Sequence, residues 1–286
     1  MKRTVFCSVV ACMLLIGSLA GAQTLVLYDN FEGKTLDPDK WLGSGDTGSG
    51  MTTLELSRLI KNDAVLKSKA LSLSSRCYVN TGSDSGVSTA HNGIVFADGG
   101  DIEAIEATVL VKKIQLPECS SRSDVQPFDT FVRLRIGGTF FNAGPRTPGS
   151  YLNDIFAWIG VGLATPGDNT LHAYARVMRC DDSNCNDTTW IGYEDPYDLG
   201  TVTLNTKVKL RVTWDPDNDR FIFQKGNAAA LYISYAGYSD TLAPGASNGG
   251  NKRLQIQNIL PNCTDEPRLF GYIDASIDNV KTNPLP

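Results

Sequence analysis

Several signatures of common activities are missing from this sequence. Histidine is scarce, two in 286 residues, so no His-x-x-x-His zinc pair can form. There is no Gly-rich phosphate loop and no Gly-x-Ser-x-Gly elbow, which sets aside nucleotide-cradling and α/β-hydrolase chemistry. Basic residues are outnumbered: 26 Lys and Arg against 31 Asp and Glu leave a net charge of −5. A polyphosphate binder needs clustered positive charge, so nucleic acid is not an expected partner. The 27 Gly and 13 Pro are dispersed, which excludes collagen-like and low-complexity chains. After the first residues no apolar run approaches the ~20 needed to span a bilayer, so no membrane span is expected.

What is present begins with an export signal. Lys2 and Arg3 form a basic start, Val5 to Ile16 a short apolar run, and Ala20-Gly21-Ala22 a small-residue cleavage site. The spacing predicts a signal peptide over 1–22 and one domain over 23–286, exported to the periplasm or beyond. Cysteine usage fits that compartment. Cys180 and Cys185 flank four polar residues between strand-like segments, as expected for a disulfide closing a turn. Cys119 and Cys263 sit in Pro-flanked loops and can pair with each other, leaving Cys77; the sequence alone leaves that pairing open.

Between these cysteines the dominant pattern is period two. Val132, Leu134 and Ile136 alternate with Phe131, Arg133 and Arg135; Ala173, Ala175 and Val177 alternate with His172, Tyr174 and Arg176. Val208, Leu210 and Val212 alternate with Lys207, Lys209 and Arg211. Such alternation buries one face and wets the other, as in antiparallel sheets. Only Leu54 to Leu66 is ambiguous between a short helix and a strand pair. Asp215-Pro216-Asp217-Asn218-Asp219 reads as a hairpin loop, with Pro fixing φ and Asp or Asn bonding back to the chain. About twelve strands without a linker predict an all-β, two-sheet antiparallel β-sandwich of jelly-roll type.

Three short patches carry a family resemblance. Asp29-Asn30-Phe31-Glu32-Gly33 followed by Leu36-Asp37 and Trp41 resembles the opening of concanavalin A-like lectin and glucanase domains. Leu199 to Phe223, with Trp214-Asp215 before a turn, resembles their late strand pair, and Ile277-Asp278-Asn279-Val280 their closing strand. The resemblance implies a jelly roll with one concave sheet and a carbohydrate-related role. Fold alone does not fix function, because this architecture hosts lectins, hydrolases, lyases and scaffolds. It also implies a structural Ca²⁺ between the terminal strands, held by Asp278 with Glu32 and Gly33 near the opening strand.

The catalytic candidates come from the same resemblance. Asp101-Ile102-Glu103-Ala104-Ile105-Glu106 is similar to the Glu-x-Asp-x-x-Glu of laminarinase-type glucanases, with the first two acids exchanged in type. A retaining pair needs carboxyls about 5–5.5 Å apart, which a bulged strand can supply. On a regular strand Asp101 and Glu106 point to opposite faces, and the plain alternative is a strand whose Glu106 faces solvent. The binding candidates are Arg133, Arg135, Trp158, Tyr174, Arg176, Trp190 and Tyr193, with Phe131, Phe156 and Tyr197 nearby. Rings stack on sugars while guanidinium groups take hydroxyls or carboxylates, a mixture suited to an acidic polysaccharide. Jelly-roll lyases use His and Tyr as proton carriers, and His172 and Tyr174 share a strand face; His91 falls in a polar stretch and reads as a loop residue. The expected protein is an exported glycan-binding sandwich. Hydrolase or lyase activity and a ligand-free adhesive scaffold are the alternatives.

Overall fold

A computed structural model describes residues 23–44, 47–49, 53–126, 128–192, 196–245, 251–264 and 269–286. The expected signal peptide, 1–22, and the candidate Tyr193 lie outside the described residues. Among the described residues seventeen strands, numbered along the chain, form two antiparallel sheets. The eight-stranded sheet runs β15 (Leu231–Ser234), β14 (Arg220–Lys225), β13 (Val208–Asp215), β7 (Ala104–Gln115), β17 (Phe270–Thr282), β5 (Ser68–Tyr78), β4 (Thr53–Asp63), with β1 (Val26–Asp29) on β17. The nine-stranded sheet runs β11 (Thr188–Trp190), β10 (Leu171–Cys180), β9 (Asp154–Leu163), β8 (Phe131–Asn142), β16 (Arg253–Pro261), β6 (Val87–Phe96), β2 (Trp41–Ser44). In it β12 (Tyr197–Val202) pairs β10 and β3 (Thr47–Ser49) pairs β6.

The core lies between the sheets, built from the inward face of each alternating strand: Val132, Leu134 and Ile136 from one sheet, Ile105, Leu210, Val212 and Ile277 from the other. The Leu54–Leu66 ambiguity resolves as a strand, β4, because a tight turn at 64–67 returns the chain into β5 with Ile60 opposite Leu71. The expected hairpin joins β13 to β14: Pro216–Asn218 makes one 3-10 turn and Asp219 closes it at φ 48°. There Asp215 accepts N–H bonds from Asn218 (2.9 Å) and from Arg220 (2.7 Å).

The opening motif is a latch inside the core. Trp41 donates its indole N–H to Asp29 Oδ2 at 2.6 Å, and Asp29 Oδ1 accepts the Phe31 amide at 2.8 Å. The indole then packs on Tyr28, Phe31 and Phe96, with ring centres 4.6–5.7 Å apart. The closing strand runs beside the first, Val26 opposite Thr282, as the resemblance implied.

Two disulfides are present, Cys180–Cys185 and Cys119–Cys263; Cys77 is free and buried, its thiol pushed up to about 11 by burial. By chain entropy the 144-residue separation of the second bridge constrains the unfolded chain far more than the five-residue separation of the first. Cys263→Ser should therefore cost about 5 kcal/mol and Cys185→Ser about 2 kcal/mol, read from denaturant midpoints. Equal losses would contradict that account.

Candidate functional site

On the outward face of the nine-stranded sheet, register aligns side chains from five strands into rows. Across β6, β16, β8, β9 and β10 one row reads His91, Gln257, Arg133, Gly162, His172. The next reads Gly93, Gln255, Arg135, Gly160, Tyr174, and the one beyond it brings Trp158 beside Arg176. Six of the predicted binding residues thus meet on one surface: Arg133, Arg135, Trp158, Tyr174, Arg176 and Trp190.

Two glycines set the relief of this face. A Cβ on Gly160 would stand 2.3 Å from Leu134 O, and one on Gly162 would stand 2.4 Å from Val132 O. The strands press too closely there for any side chain. Both glycines are buried, and the Arg133 side chain reaches across this strand to lie over the Trp158 ring.

The guanidinium groups are held in an unusual way. Arg133 donates from Nε (3.0 Å) and Nη2 (2.7 Å) to Gln257 Oε1; Arg135 does the same to Gln255 Oε1 at 3.0 and 2.8 Å. Arg133 also lies over the rings of Phe131 at 3.6 Å and Trp158 at 4.0 Å, and Arg135 over Phe156 at 5.3 Å. Arg176 is seated 3.2 Å from the Trp190 ring centre. Arg133 and Arg135 are each only 7% exposed, and among the described residues neither pairs with a carboxylate. Burial and the neighbouring guanidinium groups both act against their charge: Arg135 is pushed down to about 9 and Arg133 well below its usual value.

The rim is half exposed. His172 Nδ1 lies 2.8 Å from Asp198 Oδ2, and its ring stacks on Tyr174 at 5.8 Å. Burial, then Asp198 and Asp168, raise the Tyr174 hydroxyl to about 12. His91 corrects an expectation: it is a strand residue of β6, not a loop residue. Burial and three arginines push it down to about 3, so the imidazole is neutral. Its Nε2, 2.6 Å from Gln257 Nε2, then accepts the amide N–H, which places the ring proton on Nδ1. Gln255, Gln257 and Asp198 were not singled out in the sequence. The alternation Gln255-Ile256-Gln257 between buried residues carries a signal for the glutamines, but only register shows that they face arginines.

The carboxylate candidates lie elsewhere. Glu106 sits on β7 in the eight-stranded sheet, opposite Arg211 and within 3.4 Å of Lys209 and 3.7 Å of Lys281. It faces outward on the side of the sandwich away from Arg133 and Arg135, so it cannot share their surface. Asp101 and Glu103 precede the strand: Asn283 donates to Asp101 O at 2.9 Å, and Glu103 accepts from Gln23 Nε2 at 2.8 Å. The β7–β13 register is unbroken from Ala104 to Val109, so the bulge that could have gathered these acids is absent there. Alternation told which residues face out, not which of two outward faces they occupy.

The implied Ca²⁺ ligands do not fit the ion. Asp278 is buried with its oxygens taken by Ser68 Oγ (2.6 Å), Asn279 N (2.7 Å) and Asn279 Nδ2 (2.9 Å). The carbonyls of Glu32 and Gly33 accept from Lys69 Nζ at 2.7 and 3.4 Å. Lys69 therefore occupies the two carbonyls, and neutral donors take up the oxygens of Asp278. Among the described residues the one cluster of potential ligand atoms is Asp84 with Cys119 and Cys263, whose sulfurs are joined to each other. Adding a chelator or excess Ca²⁺ should leave the melting temperature unchanged; a rise with Ca²⁺ would restore the metal.

No protein-family model and no curated protein matches the chain. Among solved structures it is similar to an endo-acting O-glycanase structure from the human gut microbiota, at 12% identity over 92% of this chain and 99% of that one, TM-score 0.43. It is also similar to a glycosyl hydrolase family protein from Mycobacterium fortuitum, at 12% identity, 91% and 98% coverage, TM-score 0.40. A third is an alginate lyase from Klebsiella pneumoniae, at 12% identity, 79% and 83% coverage, TM-score 0.38. At 12% identity these likenesses single out no family. Among the described residues no helix is long and apolar enough to cross a membrane.

Proposed function

We propose that this protein binds an acidic polysaccharide on the outward face of its nine-stranded sheet. One observation carries the reading: Arg133 and Arg135 are buried side by side and oriented by neutral glutamines, and among the described residues no acid pairs with them. Burying like charges without a counter-ion costs stability, and an arriving anion removes that cost. Tyr174 and Trp190, both partly exposed, supply ring faces for a sugar chain beside the charges. Two disulfides support an exported protein, since such bridges persist in oxidising compartments.

A second reading rests on His172. Its contact with Asp198 and stacking on Tyr174, in the row of Arg135, is an arrangement that can move a proton beside a bound anion. On that reading the same face cleaves its polysaccharide, and His172→Ala stops product formation while retention persists.

Retention on immobilised acidic and neutral polysaccharides, with release followed as salt rises, tests both. Binding should be confined to acidic polymers and weaken by about tenfold or more in Tyr174→Ala and Arg176→Ala. Glu106→Gln should change neither retention nor any turnover, because Glu106 is on the far sheet. Retention of no polymer at all would leave the scaffold alternative standing.

A further inference from the structure

We infer that Gln255 and Gln257 are the specificity-determining residues of this face, and that the anion they select is a sulfate ester. The inference rests on the acidic-polysaccharide reading and narrows it. Glutamine and glutamate have the same shape, so either could accept the Nε and Nη2 donors of a guanidinium. A glutamate would neutralise the arginine. The glutamines fix its orientation and leave its charge for a ligand.

Their grip also decides which donors remain. Each guanidinium has five N–H groups, and the side-on Nε–Nη2 edge is occupied by a glutamine oxygen. The tips are left, Nη1 and the second Nη2 proton, on two residues that lie two apart on β8 and so roughly 6.6–7 Å from each other along the strand. Two further donors on this face have no partner among the described residues: Gln255 Nε2 and Trp158 Nε1, in side chains 0% and 1% exposed. Buried donors are normally satisfied, so unsatisfied ones beside two unbalanced cations point to a missing acceptor. A carboxylate offers two oxygens in one plane. A sulfate ester offers three terminal oxygens in a pyramid, which can meet two guanidinium tips and an amide or indole N–H together. Its charge also persists at any pH the fold survives.

The experiment compares retention of the wild-type protein on one polysaccharide in sulfated and desulfated forms and on a uronate polymer of similar length, and repeats it with Gln255→Glu and Gln255→Ala. The expected result is retention ordered sulfated, uronate, desulfated, with the first at least about tenfold above the second. Gln255→Glu should lose that retention by about tenfold or more while melting no lower than wild type, since the new carboxylate pairs with Arg135. Gln255→Ala should keep the preference for charge but narrow the gap between sulfate and uronate, because Arg135 is free to turn its side-on edge. Equal or stronger retention of the uronate polymer overturns the sulfate inference and leaves the acidic reading intact. Retention of the desulfated polymer overturns the acidic reading itself. Undiminished binding in a folded Gln255→Glu protein removes the role given to the glutamines.

Discussion

Replacing Arg135 by Met together with Gln255 by Leu should make the protein more stable and end its binding of acidic polysaccharide. In the wild type Arg135 is 7% exposed, its guanidinium lies 5.3 Å from the Phe156 ring centre, and among the described residues it donates only to the oxygen of Gln255. Its neighbours Arg253 and Arg176 add repulsion to the cost of burial. Substituting well-packed apolar side chains for buried charges is commonly worth about 1–4 kcal/mol in stability. The second substitution matters because Gln255 alone would be left with an unpaired buried carbonyl, a cost of about 1–3 kcal/mol that would hide the gain. For a chain of this length a gain of about 2 kcal/mol moves the melting temperature by roughly 3–4 °C. A structural arginine behaves in the opposite way: the double variant would melt several degrees lower, and retention would be lost only because the sheet had loosened. Stability and retention measured on the same preparation separate the two.

Lys252 should make the fold more stable as pH rises above neutral. Its side chain is 1% exposed, donates to Gly99 O at 2.7 Å and lies 4.5 Å from the Phe140 ring centre, and among the described residues no acid pairs with it. Burial pushes the ammonium down to about 7, while Asp101 and Glu103 pull weakly the other way. The unfolded chain holds this proton to about pH 10.4. Between those limits the unfolded state binds more protons, so stability increases with pH; below about pH 7 the folded state carries the full cost of the buried charge. Lys252→Met should remove the slope and raise stability near pH 6 by on the order of 3 kcal/mol, allowing for the lost bond to Gly99. Denaturant midpoints at about pH 6 and pH 9.5 measure both effects. A wild-type profile flat over that range, or a variant less stable at the lower pH, would contradict this placement of the charge.

The sequence made the faces of the strands legible and left their partners hidden. Period two in Phe131–Ile136 and in His172–Val177 separated the residues that face the core from those that face away from it, but the expected wet face is seen only in β10; β8 is buried on both faces, because Arg133 and Arg135 fold down onto neighbouring rings and glutamines. The opening and closing motifs announced themselves through residues that lock the terminal strands, Asp29 to Trp41 and Val26 opposite Thr282. Loop chemistry at Asp215–Asp219 needed no tertiary information. What could not be read was which sheet each strand joins. Glu106 and Arg133 both point outward, yet a whole sandwich separates them, and only the pairing of β7 with β13 and of β8 with β16 shows it. Gln255 and Gln257 were hidden for the same reason: 120 and 124 residues separate them from the arginines they hold. His91 was misplaced because a polar strand within a buried sheet resembles a loop in composition. Lys69, which occupies the carbonyls of Glu32 and Gly33, carries no sequence mark that distinguishes it from a surface lysine.

The central claim is that two unbalanced guanidinium groups keep this face ready for an anionic polymer, and ligand-linked melting tests it most directly. Anything that binds only the folded state raises its stability by mass action, about 2.7 kcal/mol at 100 times Kd. The wild-type protein should therefore melt at rising temperature as an acidic polysaccharide is added and show no response to the neutral form of the same polymer. The Arg133→Met/Arg135→Met variant should respond to neither. A wild-type melting temperature indifferent to every acidic polymer, or a rise that survives in the double variant, would contradict the account.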